Sequence, residues 1–352
     1  MKIAVLNAGS SSLKCKVFEF PAKTLLFSQE IEKIGESDSD IASHAEALEA
    51  LDIDLREIDI IGHRVVHGGE KLQQSVVIDE SVITTIKDLI PLAPLHNPAN
   101  LVGIEVARQK APNIPQVAVF DTAFHATLPK EAYLYALPYK LYEKEDIRRY
   151  GFHGTSHSYL AKEAAKELKK ELRELNIITL HLGNGASACA IKKGKSIDTS
   201  MGFTPLEGLV MGSRCGDLDP EIVLYLQREL GKTPQEVEHI LNKESGLLGI
   251  CGENDLREIV LREDERAKLA VAMMVRRIQK YIGAYMVLLE DVDAIVFSGG
   301  IGEHSQSVRE MVMDNKLFKN IKMLVIQTDE ELEIANESYR VINQRSSSHK
   351  TQ

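Results

Sequence analysis

Twice along this chain a short β-branched run ends in a polar, glycine-bearing turn and is followed at once by a second strand-like run. Asn7-Ala8-Gly9-Ser10-Ser11-Ser12-Leu13-Lys14 closes the first run, and His181-Leu182-Gly183-Asn184-Gly185-Ala186-Ser187 closes the other. Glycine lets the backbone approach an anion closely, while Ser hydroxyls, Asn amides and backbone N–H groups are neutral donors at any working pH. A pair of such turns at strand ends reads as a phosphate clamp, although Gly, Ser and Asn also build ordinary tight turns for conformational reasons. Neither turn is a Walker loop, since Leu13 stands where that motif needs a glycine before Lys14 and Cys15 follows. Neither carries the Gly-x-Gly-x-x-Gly of a dinucleotide turn.

Repetition of strand, glycine turn and returning strand points to an internal duplication, with two similar sheets facing each other across a cleft that a nucleotide could span. Strands are expected at 3–6, 14–20, 117–120, 177–182, 187–191 and 294–297, and helices at 158–174, 220–230, 234–241, 267–289 and 330–344. That alternation is the α/β class with mixed sheets. The 352 residues suit about two domains, with the boundary near the charged stretch 143–151, and the polar tail 345–352 is expected to fray.

A formal charge of −10 and the absence of Lys or Arg runs argue against a general nucleic-acid binder. No apolar run reaches the roughly 18 residues of a membrane helix; 269–289 is broken by Arg276, Arg277, Gln279 and Lys280 and reads as a core helix. Four scattered cysteines without a Cys-x-x-Cys pair fit reduced thiols in a cytoplasm.

Several polar residues stand where a fold alone does not call for them. Arg64 lies beside two valines in Gly62-His63-Arg64-Val65-Val66-His67-Gly68-Gly69; its planar fork suits a small anion in a cleft, or a buried carboxylate partner. Arg214 sits in the glycine-bounded loop Met211-Gly212-Ser213-Arg214-Cys215-Gly216-Asp217. Two arginines from separate segments suit charge neutralisation on a transferring phosphoryl group. His63/His67 and His153/His157 stand four apart, but His-Glu-x-x-His is missing and the first pair falls on a strand, which disfavours zinc. With Thr155 or Ser156 as cap, His153 would precede a helix N-terminus and donate to a phosphoryl oxygen, leaving His157 structural. Asp121 ends a buried strand, the position of a carboxylate that holds Mg²⁺ beside phosphates, or of a turn cap. Phe297-Ser298-Gly299-Gly300-Ile301-Gly302-Glu303 reads as a strand-to-glycine turn whose bare backbone fits an adenine and ribose.

Together with Ala-Pro-Leu-His-Asn-Pro, Phe-Asp-Thr-Ala-Phe-His and Gly-Phe-His-Gly-Thr-Ser-His, these motifs closely resemble the acetate kinase family, within the acetate and sugar kinase/Hsp70/actin superfamily. The resemblance runs in order from Asn7 to about Glu331. It implies duplicated ribonuclease-H-like (actin-like ATPase) domains around a nucleotide cleft, one at 1–148 plus about 331–352 and one at 149–330, the latter with the adenosine pocket and a homodimer interface. It implies Mg²⁺-dependent (or Mn²⁺-dependent) transfer between ATP and acetate to give ADP and acetyl phosphate, in acetyl-CoA/acetate interconversion. By resemblance, Asn7, Ser10, Ser12 and Lys14 form the first phosphate turn, and His181, Leu182, Gly183, Asn184 and Gly185 the second. Asp255, Leu256, Arg257, Gly300, Ile301 and Gly302 match the adenosine pocket, and Val66, Leu95, Phe152 and Pro205 the methyl pocket. Arg64, Arg214, His153 and Asp121 match the catalytic set, with His153 and Arg214 stabilising the transition state and Asn7 and Glu330 at the metal.

Departures from the family pattern are His304, where Asn is usual, a short acidic stretch at 251–255, and a compact segment at 310–325. Propionate or another short-chain acid is the nearest alternative substrate. A non-catalytic nucleotide-gated protein of the same superfamily is the other alternative, and Arg64, Arg214 and His153 would have no use there.

Overall fold

The computed structural model describes residues 1–9, 11–35, 39–94 and 96–348. Two compact units emerge: Met1–Ala126 with Gly154–Ser156 and the chain from Asp329 onward, and Thr127–His153 with His157–Thr328. Each is built on its own mixed sheet.

In the first unit the strands are β1 (Lys2–Ala8), β2 (Leu13–Glu19), β3 (Thr24–Ile31), β4 (Ile60–Val65), β5 (Val76–Val77) and β6 (Gln116–Phe120), in the order β3-β2-β1-β4-β6-β5. β1 runs antiparallel to β2 but parallel to β4, which is parallel to β6. The second unit repeats this plan with β7 (Asn176–Leu182), β8 (Ala186–Lys192), β9 (Lys195–Thr199), β10 (Ala294–Ser298) and β11 (Lys322–Val325), ordered β11-β10-β7-β8-β9. β7–β8–β9 form the antiparallel meander, and β10 and β11 run parallel to β7. The duplicated ribonuclease-H-like plan is therefore present in both sheets, and each glycine turn joins the first two strands of its sheet.

Because both faces of the first sheet are covered, its central strands are apolar almost throughout. Along β1, Ala4, Leu6 and Ala8 join a core with Ala47 and Ala107, whereas Ile3 and Val5 join another with Ile334 and Ala335. The second of these cores lies beneath the helix Glu330–Ser348, which approaches β4 so closely that a Cβ at Gly62 would sit 2.5 Å from Ser338 Oγ. The period-two alternation places Asn7, Arg64 and Asp121 on that same helix-covered face, at the carboxyl ends of three adjacent parallel strands.

Three local expectations need correction. The helix expected over 158–174 is Gly154–Leu168, ended by Lys169 in the left-handed region, with a separate 3₁₀ turn at Leu172–Glu174. Thr155 and Ser156 lie inside that helix, so the cap position belongs to His153. The tail expected to fray from 345 is helical to Ser348, and 349–352 fall outside the described residues. Among the described residues no helix is long and apolar enough to cross a membrane, and Cys15, Cys189, Cys215 and Cys251 are free thiols.

His63, on the face opposite Arg64, is buried and meets Gln116 Oε1 at 2.8 Å; burial pushes its imidazole down to about 4, against the pull of that bond. A folded pKa below the ordinary 6.5 means that the unfolded chain binds the proton first as pH falls, so this group's stability contribution is lost between pH 6.5 and 4. Urea unfolding of His63→Gln across that window should show a loss smaller by on the order of 2–3 kcal/mol. An unchanged difference between pH 6.5 and 4 would assign the pH dependence elsewhere.

Candidate active site

The first group of site residues belongs to the first unit. Arg64 spans Asp121 with two nitrogens, Nε at 3.0 Å from Oδ1 and Nη2 at 2.6 Å from Oδ2, while its Nη1 donates to Asn7 Oδ1 at 3.1 Å. Of the two sequence readings of Arg64, the carboxylate partner is the one present in this geometry, and Asp121 is that carboxylate. The fork is not exhausted: of its five N–H groups three serve these partners, and one on each terminal nitrogen remains for an anion. Burial opposes the charge on Arg64, but Asp121 holds its pKa above the ordinary value.

Asn7 is clamped from both ends, since its Nδ2 donates to Glu331 Oε1 at 2.9 Å. Glu331 also pairs with Lys16 at 2.9 Å, and the hydrogen bond from Asn7 with the Lys16 charge lowers its pKa despite burial. Glu330, one residue earlier at the helix start, is different: burial pushes it up to about 7, and the charges of Asp121 and Glu331 add to the effect. A half-buried carboxyl whose pKa is raised chiefly by desolvation, and further by neighbouring carboxylates, is one that a hard cation would relieve. Among the described residues no three His, Cys, Asp or Glu side chains form a metal cage. Mg²⁺ needs none, because it takes one or two carboxylates and completes its shell with water and phosphate oxygens.

Of the first turn, Gly9 N–H donates to Ser12 O at 2.8 Å, and Lys14 reaches Glu30 at 3.0 Å. Ser10 and Leu95 fall outside the described residues. Sequence reasoning passed over Lys16, Asn97 and Asn100. Buried Asn100 accepts from Val66 N–H at 3.0 Å and donates to Ala8 O at 2.8 Å, and Asn97 brackets His67 in the same manner. Two asparagines in the first turn of a helix, Asn-Pro-Ala-Asn, were the available signal.

The second group belongs to the second unit. His153 occupies the left-handed region at φ 55°, turning its ring over β7 and β8. Its Nδ1 lies 2.9 Å from Ser187 Oγ; the same oxygen is 2.8 Å from His157 Nε2, and His157 Nδ1 is 2.7 Å from Thr179 Oγ1. His157, expected to be structural, is linked to His153 through Ser187 Oγ in this buried chain. The His181 ring lies against His153 with centroids 4.3 Å apart. Arg214, lowered in pKa by burial, donates through Nη1 to Pro205 O at 3.0 Å. A Cβ at Gly185 would stand 3.5 Å from His153 Nε2 and 3.6 Å from Arg214 Nη1, so imidazole and guanidinium both border bare backbone. Phe152 is buried beside them in sequence.

A cavity of about 600 Å³ in the same unit is lined by Gly183, Asn184, Asp255, Leu256, Arg257, Gly300 and Ile301, seven of the sequence-derived nucleotide residues. His181, Leu182, Gly185 and Gly302 are not among its lining residues, whereas His304, Ser305 and Gln306 are. The turn expected after residue 298 is the first turn of a helix, Gly299–His304. Asp255 caps the helix Leu256–Ile259 and pairs with Arg257 at 2.6 Å.

Ser187→Ala would remove the Ser187 Oγ contact of His153 Nδ1. ¹⁵N NMR of the imidazole should then change from one neutral tautomer at pH 8 to an average of two. An unaltered spectrum would show that the ring is held by other contacts.

The sequence profile of the Acetokinase family matches residues 29–352. An acetate kinase of Sulfurimonas denitrificans is 53% identical over 383 aligned residues, spanning 96% of this chain and 98% of that protein. One of Helicobacter pylori is 50% identical over 95% of this chain and 97% of its own length. Among solved structures, a propionate kinase from Francisella tularensis superposes with TM-score 0.92 at 41% identity, and an acetate kinase from Porphyromonas gingivalis with 0.89 at 40%; each comparison covers 97% of this chain and 99% of the other.

Proposed function

Since the chain belongs to the acetokinase family, we propose that it is a phosphotransferase with a carboxyl acceptor that interconverts ATP and acetate with ADP and acetyl phosphate. The observation that carries this reading is the Arg64–Asp121–Asn7 constellation at the ends of three adjacent strands. An ATP-gated switch has no use for an arginine fork oriented by a buried carboxylate.

A carboxylate is already nucleophilic at neutral pH, so no general base is required, and transfer through a metaphosphate-like transition state asks for positioning and charge neutralisation. Arg64 takes the acid's carboxylate with the N–H groups that Asp121 and Asn7 leave over. Arg214 and His153, side by side above Gly185, donate to the transferring phosphoryl oxygens, His153 as a hydrogen-bond donor rather than a proton shuttle. The two glycine turns hold the phosphate chain, with Ser10, Ser12 and Lys14 on one and His181, Asn184 and Gly185 on the other. The 600 Å³ cavity is of a size for the nucleoside. Glu330, with Asn7 and Asp121, would hold Mg²⁺, which when bound would supply positive charge to neutralise nucleotide phosphates. Val66, Leu95, Phe152 and Pro205 would enclose the acid's methyl group.

We further propose a cytoplasmic homodimer that binds neither nucleic acid nor membrane, paired through the second domain. Exposed Ile222, Leu224 and Tyr225 on one short helix of that unit favour such a contact.

The direct test incubates the protein with ATP, Mg²⁺, acetate and hydroxylamine and measures acetyl hydroxamate, with propionate and no acid as controls. ATP hydrolysis without hydroxamate would overturn the reading. In that assay Arg64→Ala and Arg214→Ala should each lower kcat by about 10² or more, the scale of a lost charge-assisted transition-state contact. A folded variant with near-normal kcat would remove its arginine from the mechanism.

The high similarity to a propionate kinase makes acid size a separate question. Val66 is 4% exposed and held by Asn100 just past β4, two residues beyond Arg64. Val66→Ala should raise the propionate/acetate ratio of kcat/KM about tenfold or more, chiefly through KM for propionate. A ratio that does not move, or an unsubstituted enzyme that already prefers propionate, would take Val66 out of the size filter.

A further inference from the structure

Arg149 was singled out by no motif, yet it makes a dense set of polar contacts in the second unit. Its Nη1 faces three successive carbonyls, those of Thr199, Ser200 and Met201, at 2.9, 3.2 and 3.1 Å, and its Nη2 donates to Glu207 Oε1 at 2.6 Å. Tyr135 closes the arrangement from the other side: its hydroxyl donates to Glu207 Oε2 and accepts from Phe203 N–H at 2.9 Å. Burial keeps that phenol well above its ordinary pKa and therefore protonated. Both ends of the loop 199–207 are thus held by one guanidinium, and its middle by one phenol.

That loop carries Pro205, whose carbonyl accepts from Arg214 Nη1 at 3.0 Å. The backbone that runs from Arg149 toward His153 is tied to the same loop, because Tyr150 and Gly151 N–H both donate to Gly202 O, at 3.0 and 3.2 Å. Carbonyl oxygens cannot follow a displaced guanidinium unless their loop moves with them, so a shift at 199–207 is passed to Arg214 through Pro205.

We propose that Arg149, with Glu207 and Tyr135, is a positioning residue for phosphoryl transfer, setting the place of the Arg214 guanidinium through the loop 199–207 and the Pro205 carbonyl. The proposal rests on the acid-kinase reading above and adds to it a residue that touches neither substrate. A planar fork is required because the carbonyl fan and the carboxylate are met at once; a lysine ammonium keeps the charge but not the fan.

The test is a double-mutant cycle in the hydroxamate assay, with thermal melting of every variant. Arg149→Met should lower kcat 10- to 100-fold, as misplacement of a transition-state group by about 1 Å does, while leaving KM for ATP within about twofold. Arg149→Lys should fall between Arg149→Met and the unsubstituted protein. In an Arg214→Ala background, Arg149→Met should change kcat by less than about threefold, because the group it places is gone. Tyr135→Phe, which removes one hydroxyl, should lose about 3- to 10-fold and serves if Arg149→Met does not fold. Losses that multiply in the double variant, or a fall in kcat that merely tracks the folded fraction, would overturn the positioning role. So would Arg214→Ala with unchanged kcat. Failure of the unsubstituted protein to make any hydroxamate would instead overturn the acid-kinase reading, and the positioning role with it.

Discussion

A buried ion pair is costly unless its geometry is good and its remaining donors are matched, and the Arg64–Asp121 pair meets both conditions only because of where three strands end. Asp121 is 1% exposed at its side chain and Arg64 19%, so the carboxylate cannot rely on water and the guanidinium can do so only in part. Asn7 accepts from the guanidinium and is itself fixed by Glu331, which Lys16 neutralises. The helix that brings Glu330 and Glu331 to this place is also the cover of the sheet face beneath it, through Ile334 and Ala335. Packing and chemistry thus share one helix: the apolar residues that bury Ile3 and Val5 determine where the carboxylates stand.

The second unit arrives at a comparable result by different means. There the charged group, Arg214, lies in a loop and is placed by a carbonyl, while the histidine is placed by a chain of hydroxyls and a second imidazole reaching down to Thr179. Among the described residues the partners of this guanidinium are neutral and leave its charge uncompensated, which suits the role proposed for it toward phosphoryl oxygens. Arg64, by contrast, is already balanced by Asp121 and offers only its outer N–H groups, which suits orientation of a carboxylate more than bulk neutralisation.

Much of the fold was legible because it is written in short-range pattern. Short β-branched runs at 3–6 and 177–182, each followed by a glycine turn, specified both hairpins and the duplication, and the motifs specified the family. The start of the helix at Gly154 was misplaced because capping propensity of Thr155 and Ser156 was weighed locally, whereas His153 takes the cap position in a left-handed conformation among Ser187, His157 and His181. The helical turn at Gly299–His304 was hidden by its glycines, which lower helix propensity; Glu303 stabilises it by accepting from Gly299 and Thr328 N–H.

What the sequence by itself determined was the inventory and its periodicity: which residues alternate toward which face, where chains must turn, and which polar residues no core would require. What only the tertiary structure decided was partnership. Arg64 meets Asp121 across 57 positions and Asn7 meets Glu331 across 324, while Arg149 reaches the loop 199–207 across some 50. Such pairs leave no local trace, because a buried donor is satisfied by whichever acceptor the packing of distant apolar residues brings within 3 Å, and that distance is a property of the assembled sheet and its covering helices rather than of any segment alone.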